Sequence, residues 1–371
     1  MNELYEQLSK LSPERRVLLE KKLAEKGINP KLTWHISKRT PESKIPLSFA
    51  QQRLWFMQQL SPSDTTYNVS SVLLLEGNLN VKAIQQSLHE LVHRHEILRT
   101  SFISTELASE AEQVINVTPE VDVILPYMDY TSEDNPREAS DIFIKHQINK
   151  PFDLTKVPFR TALIKLDENQ HLLVLVTHHI LSDRWSVGIF LRELATLYQS
   201  IINNQEAPLD VLPIQYGDYS QWQREHLQGL TLNKLQDYWK HQLDSEYTLL
   251  DLPLDFSRPG QISNAGAQWP ISIEKSLSLN LHEFAKQKKV TLFQLLLTTL
   301  KILLFRYTGN SQIRVGTDIA NRDQIETESL IGLLVNTLVL QTDLNPEDTF
   351  NATLQKVKQV MMDAMDHQTL P

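Results

Sequence analysis

The chain contains no cysteine among its 371 residues. That excludes disulfides, a thiolate nucleophile and Cys-ligated zinc. No apolar run approaches the roughly 18 residues that span a bilayer, and the amino-terminal stretch MNELYEQLSKLSPERRVLLEKK lacks the apolar core of a signal peptide. A soluble, cytoplasmic protein with no membrane partner is the expectation. There is also no long basic block: 36 Lys and Arg face 45 Asp and Glu, a formal net charge of −9, which argues against nucleic acid and other polyanions as partners.

What is present is ordinary globular material, with 41% hydrophobic and 22% charged residues. The length exceeds one average domain, so two lobes are expected. Residues 3 to 26 place Leu4, Leu8, Leu11, Val17, Leu18, Leu19 and Leu23 at helical spacing and end at Gly27, which reads as a short helical pair. The polar stretch NPKLTWHISKRTPESKIP, with three prolines, reads as an extended connector rather than a packed element, so residues 1–44 form a leading segment. From Ile45 the periods alternate. Helical patterns at 48 to 60 and 80 to 93 interleave with strands at 67 to 76 and 98 to 104, then come a strand pair over 159 to 177 and the helix VGIFLRELATLYQSII. The Pro-containing stretch NNQEAPLDVLPIQ places the boundary between an amino-terminal lobe, 45–215, and a carboxy-terminal lobe, 216–371. In the second lobe the patterns predict helices at 216 to 243, 276 to 286, 291 to 307 and 349 to 366, with strands near 269 to 273, 312 to 317 and 333 to 342. No internal repeat is visible. The fold class is α/β, an α+β two-layer arrangement.

The chemistry-bearing stretch is THHILSDRWS at 177 to 186, where a buried strand ends and a loop leads into a helix. Side chains alternate along a strand, so adjacent histidines diverge and cannot both serve one reacting atom without a bend. His179, nearer the loop, is the better proton-transfer candidate, and His178 the structural one. Asp183 falls where a carboxylate caps a helix amino terminus. A metal site is also conceivable, but no third histidine or carboxylate follows at ligand spacing, and no metal is assigned. Read as H-x-x-x-x-D from His178 to Asp183, the stretch also looks like the signature of glycerolipid acyltransferases, enzymes that work at membranes.

Further stretches bear on the choice. THHILSDRWS resembles the H-H-x-x-x-D-G motif of nonribosomal peptide synthetase condensation domains. LSFAQQRLWFMQQL, RHEILRTSF, YGDYSQW, IGLLVNT and the closing HQTLP resemble that family's other motifs in order. The resemblance implies two chloramphenicol-acetyltransferase-like lobes in a V, with the double histidine at their junction and the second lobe incomplete. It implies that the amine of an acceptor aminoacyl thioester attacks a donor peptidyl or acyl thioester. Both substrates would be carried on phosphopantetheine arms of carrier proteins, with an adjacent adenylation domain as a further partner and no cofactor of the domain's own. His179 would be catalytic and His178 supporting, with Asp183 paired to Arg322 as a buried ion pair across the lobes. Arg184, Ser186 and Asn336 would line the channel, Asn336 orienting a thioester or bracing a loop. Trp55, Phe49, Leu54, Trp222 and Tyr219 read as packing residues, and Arg99 with Glu96 as a structural ion pair or a substrate contact.

Besides Leu334 for phenylalanine in IGLLVNT and Thr369 for the acid in HQTLP, two departures from the family pattern bear on function. Arg184 stands where the motif has glycine, exchanging a permissive backbone for a long charged side chain. If it points into the acceptor channel, the domain becomes an inactive docking or recruitment module of the same fold. If it points away, catalysis survives. The chain also stops at Pro371, whereas the family domain continues for many tens of residues, so the sequence reads as a truncated domain. Heterocyclisation members carry aspartates in place of the histidines, which argues against that class. The opening and IGLLVNT stretches look less like epimerisation members than like condensation members.

Overall fold

The computed structural model describes residues 35–40, 43–104, 111–119, 125–244, 249–257, 260 and 266–371. The expected helical pair at 3 to 26 lies outside the described residues. The chain divides into two compact units. The first runs to Thr231 and takes in Ala320–Val335, and the second comprises Leu232–Ile319 and Asn336–Pro371.

The first unit contains β1 (Ile45–Pro46), α1 (Phe49–Leu60), β2 (Asn68–Glu76), α2 (Val81–Arg94), β3 (Thr100–Ser104), β4 (Ala111–Ile115), β5 (Tyr127–Asp129), α3 (Pro136–Ile148), β6 (Phe159–Asp167), β7 (Gln170–His178), α4 (Arg184–Ile202) and α5 (Tyr216–His226). Its main sheet has the order β2-β7-β6-β5, and a smaller one has the order β1-β4-β3. β7 is an interior strand, and its near-continuous run HLLVLV is buried on both faces, as a doubly covered strand requires. β6 and β7 form a hairpin, and the register sets Val69, Thr177 and Phe159 in one row across three strands. α2 and α4 pack on each other. Asn68, on the opposite face from Val69, donates from Nδ2 to the carbonyls of Ile148 and Lys150 at the end of α3.

Two expectations about the first unit are corrected. The connector is not a free spacer: Ile36 is 1% exposed in the core, and Arg39 bonds Glu96 (2.7 Å) and Asp218 (2.8 Å). The division between units also falls later than 215/216. Tyr216 and Tyr219 at the start of α5 belong to the first core, together with Leu330, Ile331, Leu333 and Leu334 from the segment that returns to it.

After α6 (Gly229–Gln242), the second unit holds α7 (Lys275–Lys288), α8 (Leu292–Thr308), β8 (Gln312–Ile319), β9 (Asn336–Asp343) and α9 (Phe350–Asp366). The stretch 216 to 243 holds two helices, as expected, with the break just before Gly229, whose φ of 53° is left-handed and needs no Cβ. β8 and β9 pair antiparallel, Ile319 opposite Asn336. The strand expected near 269 to 273 is absent. Its alternating Trp269 and Ile271 are 89% and 84% exposed, because the apolar pattern finds no neighbouring edge among the described residues. No single described helix is long and apolar enough to cross a membrane.

Candidate active site

β7 ends at His178, and one 3-10 turn, His179–Leu181, carries the chain to Ser182 and the start of α4. The two histidines diverge here. His178 is 1% exposed, between the rings of Tyr67 and Phe152 (centroids at 6.0 and 6.4 Å). Its Nδ1 accepts the Ile180 N–H at 3.1 Å, which leaves the proton of the neutral ring on Nε2, buried without a partner among the described residues. Burial first, and then the neighbouring His179, push its pKa down to about 4. It is an uncharged clamp on the turn.

His179 is half-buried. Its backbone N–H donates to the Tyr67 carbonyl (2.8 Å) and its carbonyl accepts from Ser182 (3.2 Å), so the main chain is held on both sides while the ring bonds no described residue. Gln51, fully buried in α1, donates to the Ile180 carbonyl at 3.3 Å from the far side of the turn. Sequence reasoning missed Gln51. The available signal was a glutamine in the amphipathic helix LSFAQQRLW at a position that the helical period turns inward.

Asp183 is the helix cap, and more. Its Oδ1 accepts from the Ser186 N–H (2.9 Å) and hydroxyl (2.7 Å), and its Oδ2 accepts the Leu334 N–H at 3.1 Å. Arg322 Nη2 lies 3.2 and 3.3 Å from the two oxygens, and the two side chains are 2% and 4% exposed. Arg322 Nη1 donates to the carbonyls of Thr327 and Leu330, which spreads the positive charge over backbone oxygens. Both partners belong to the first unit, so the ion pair closes a loop within one unit and not across two. No bond runs from Asp183 to either histidine. The carboxylate builds the frame and does not polarise the imidazole.

The three residues assigned to the channel occupy different places. Arg184 is exposed at the first turn of α4, in helical backbone outside the set of positive-φ residues, with no ion-pair partner among the described residues. Ser186 is 1% exposed, and its hydroxyl is engaged with Asp183, Arg322 and both backbone groups of Gly332, which makes it part of the frame. Asn336 opens β9 in the second unit, and its Nδ2 donates to the carbonyls of Gln368 (2.8 Å) and Leu370, bracing the stretch after α9.

Other motif residues interlock around this frame. Ser48, the cap of α1, hydrogen bonds the Tyr216 hydroxyl (2.8 Å), which in turn donates to the Leu333 carbonyl (2.7 Å). Gly332 lies so close under the Tyr216 ring that a Cβ there would overlap it. Trp55 and Leu54 are core residues, Tyr219 is buried, and Trp222 stacks on His226 at 4.9 Å. Glu96 and Arg99 do not pair. Glu96 holds Arg39, and Arg99 donates to the Asn116 carbonyl at 2.6 Å. Among the described residues no three His, Asp or Glu side chains come together as a metal ion would need.

Comparison with known proteins follows the same lines. The family model described as Condensation domain matches residues 41–371. A linear gramicidin synthase of Brevibacillus parabrevis is 42% identical over 330 residues, 88% of this chain and 6% of its own length. Phosphinothricin tripeptide synthetase PhsC of Streptomyces viridochromogenes is 33% identical over 382 residues, covering 100% of this chain and 34% of itself. The chain therefore spans about a third or less of these two curated relatives. Among solved structures, the X-domain in complex with OxyB from teicoplanin biosynthesis superposes with a TM-score of 0.79 at 27% identity, over 91% of this chain and 74% of that one. The first condensation domain of the calcium-dependent antibiotic synthetase gives 0.73 at 20% identity, over 89% and 76%, a likeness of fold. The ordered motifs, the mixed α/β fold and a family match that takes in the whole histidine turn and its frame lead to one conclusion: the chain belongs to the Condensation domain family of nonribosomal peptide synthetases.

Proposed function

We propose that the domain forms an amide bond between two thioester-bound substrates, with His179 as the catalytic residue. The acceptor amine attacks the donor carbonyl, a C–N bond forms, and the C–S bond breaks. His179 takes the amine proton and returns it to the departing sulfur, so a free thiol is left on the donor arm and the amide on the acceptor arm. The arms are phosphopantetheine groups of carrier proteins, and an adenylation domain loads the acceptor. The observation that carries this reading is the state of His179: a half-buried imidazole whose ring bonds no described residue, on a turn clamped by Tyr67, Gln51 and His178.

His178, with its pKa near 4, stays neutral and unreactive, and Asp183 is engaged elsewhere. Neither competes for the role. A positioned general base is worth ~10²–10⁴ in rate. Single-turnover amide formation from loaded donor and acceptor carriers should therefore fall by about that factor in His179→Ala while the far-UV spectrum is unchanged. Undiminished product from the folded variant would end this assignment.

A second reading has two observations in its favour. A similar solved structure is an X-domain in complex with OxyB, and here Arg184 replaces the motif glycine beside the histidine turn. On that reading the domain recruits a partner and does no chemistry, and product would appear only in Arg184→Gly. The exposure of Arg184 in unstrained helical backbone supports the catalytic reading.

A further inference from the structure

Behind the histidine turn, wholly within the first unit, lies a cavity of about 30 Å³ between the end of the main sheet and the first two turns of α4. Its floor is the row Val69, Thr177 and Phe159 with Ser71 and Leu175 one row deeper, and Val187 closes it from the helix. Thr177 and Ser182, which bracket the two histidines in the chain, form the wall nearest the turn. The space suits about one or two waters by volume. By chemistry it suits an apolar occupant better. Three of its four hydroxyls are engaged within the protein: Thr177 and Ser182 bond each other at 3.2 Å, and Ser186 is held by Asp183 and Gly332. Apart from the hydroxyls the lining is apolar, with Leu98, Phe190 and Ile331 added to the residues of the floor, so the cavity favours an alkyl group over water.

We infer that this cavity is a specificity pocket for a short aliphatic group, about two to three carbons long, borne beside the reacting thioester carbonyl of a substrate. The inference rests on the proposed amide-forming reading for its substrate class, and on the cavity alone for its size limit. Val69, Phe159, Thr177 and Val187 are only half-buried, so the pocket is reachable from the surface and is not a sealed packing defect. Two substrates could supply the group, the acyl chain of the donor or the side chain of the acceptor. Their chemistry at the pocket is the same.

The test uses the whole chain and two series of unreactive pantetheine ketone analogues. One has plain acyl chains from acetyl to hexanoyl, and the other α-amino acyl groups from glycyl to norleucyl. Binding by calorimetry should strengthen about fourfold per added methylene for the first two or three carbons of one series, and then level off. Ser71→Leu, which fills the cavity from the strand side, should flatten that rise, and Val187→Ala should extend it by about one carbon, while Ser71→Ala leaves it as it was. The series that shows the effect identifies the source. A rise untouched by Ser71→Leu and Val187→Ala, or no binding by either series, overturns the pocket. Single turnover with the matching reactive thioesters separates the two ideas. Chain-length-dependent binding without product removes the amide-forming reading and keeps the pocket, and product with no sensitivity to the cavity variants does the reverse.

Discussion

Replacing Asp183 by alanine removes the carboxylate that joins α4, Arg322 and the backbone of Leu334, and the size of the loss can be worked from its contacts. Arg322 stays 2% exposed with its Nη1 on two carbonyls, but Nη2 loses both carboxylate oxygens and keeps only Ser186 and a long contact to Gly332. Breaking a buried ion pair from one side costs about 3–5 kcal/mol, because the remaining charge stays desolvated. Loss of the cap on the Ser186 N–H adds about 1 kcal/mol. Urea unfolding followed by far-UV dichroism and tryptophan fluorescence should show a midpoint lowered by about 1–2 M at a typical slope of about 3 kcal/mol per molar. The variant Asp183→Leu/Arg322→Met removes both charges and should recover at least half of the loss. A midpoint for Asp183→Ala within about 0.3 M of the parent would refute the view that this pair frames the turn. So would a double variant no better than the single one.

His178 makes stability sensitive to acid: between its ordinary value of 6.5 and about 4 the unfolded chain binds a proton that the folded imidazole refuses. Stability should accordingly drop by up to about 3 kcal/mol as pH falls through that window, and the drop should shrink in His178→Gln, as read by denaturation at stepped pH. Lys301 acts in an alkaline window. It is fully buried on the Leu340 carbonyl and the Thr342 hydroxyl, and burial lowers its pKa to about 7. Above pH 7 the unfolded chain holds the extra proton, so stability of the second unit should rise with pH by up to about 1.4 kcal/mol per unit, a slope that Lys301→Met abolishes. Gly332→Ala should lower the melting temperature through a clash with Tyr216 worth about 1–3 kcal/mol or more, and a neutral result would mean that the ring has room to move. Arg184→Gly should leave stability within about 1 kcal/mol, since a poorer helix former is offset by removal of a cation from a helix amino terminus.

The alternation of periods is enough to place the helices and strands around THHILSDRWS, because HLLVLV and VGIFLRELATLYQSII are long and strongly patterned. The divergence of His178 and His179 follows from strand geometry alone. The partner of Asp183 is legible through the ordered motifs and not through spacing, since 139 residues separate it from Arg322 and nothing local encodes that distance. The place of Ser186 in the frame is not legible in sequence. A serine one turn into a helix reads as solvent-facing or channel-lining until Gly332 is seen against it. The short strands β4 and β5 and the helix α3 carry patterns too weak to anticipate. WPISI at 269 to 273 has a strand's alternation without a strand's neighbour.

The excursion of residues 320–335 into the first unit has a consequence for how the protein is made. Asp183 leaves the ribosome long before the groups that neutralise it: Arg322 follows 139 residues later and the Leu334 N–H 151 residues later. At about 5–20 residues per second, α4 waits on the order of 10–30 s with its cap carboxylate unpaired and the Leu330–Leu334 part of its core missing. During that interval most of the second unit's chain is also synthesised, so the amino-terminal unit cannot complete its core before its successor begins. The order of synthesis and the order of folding are uncoupled by one short return of the chain, and that window is where a nascent-chain chaperone would have something to hold.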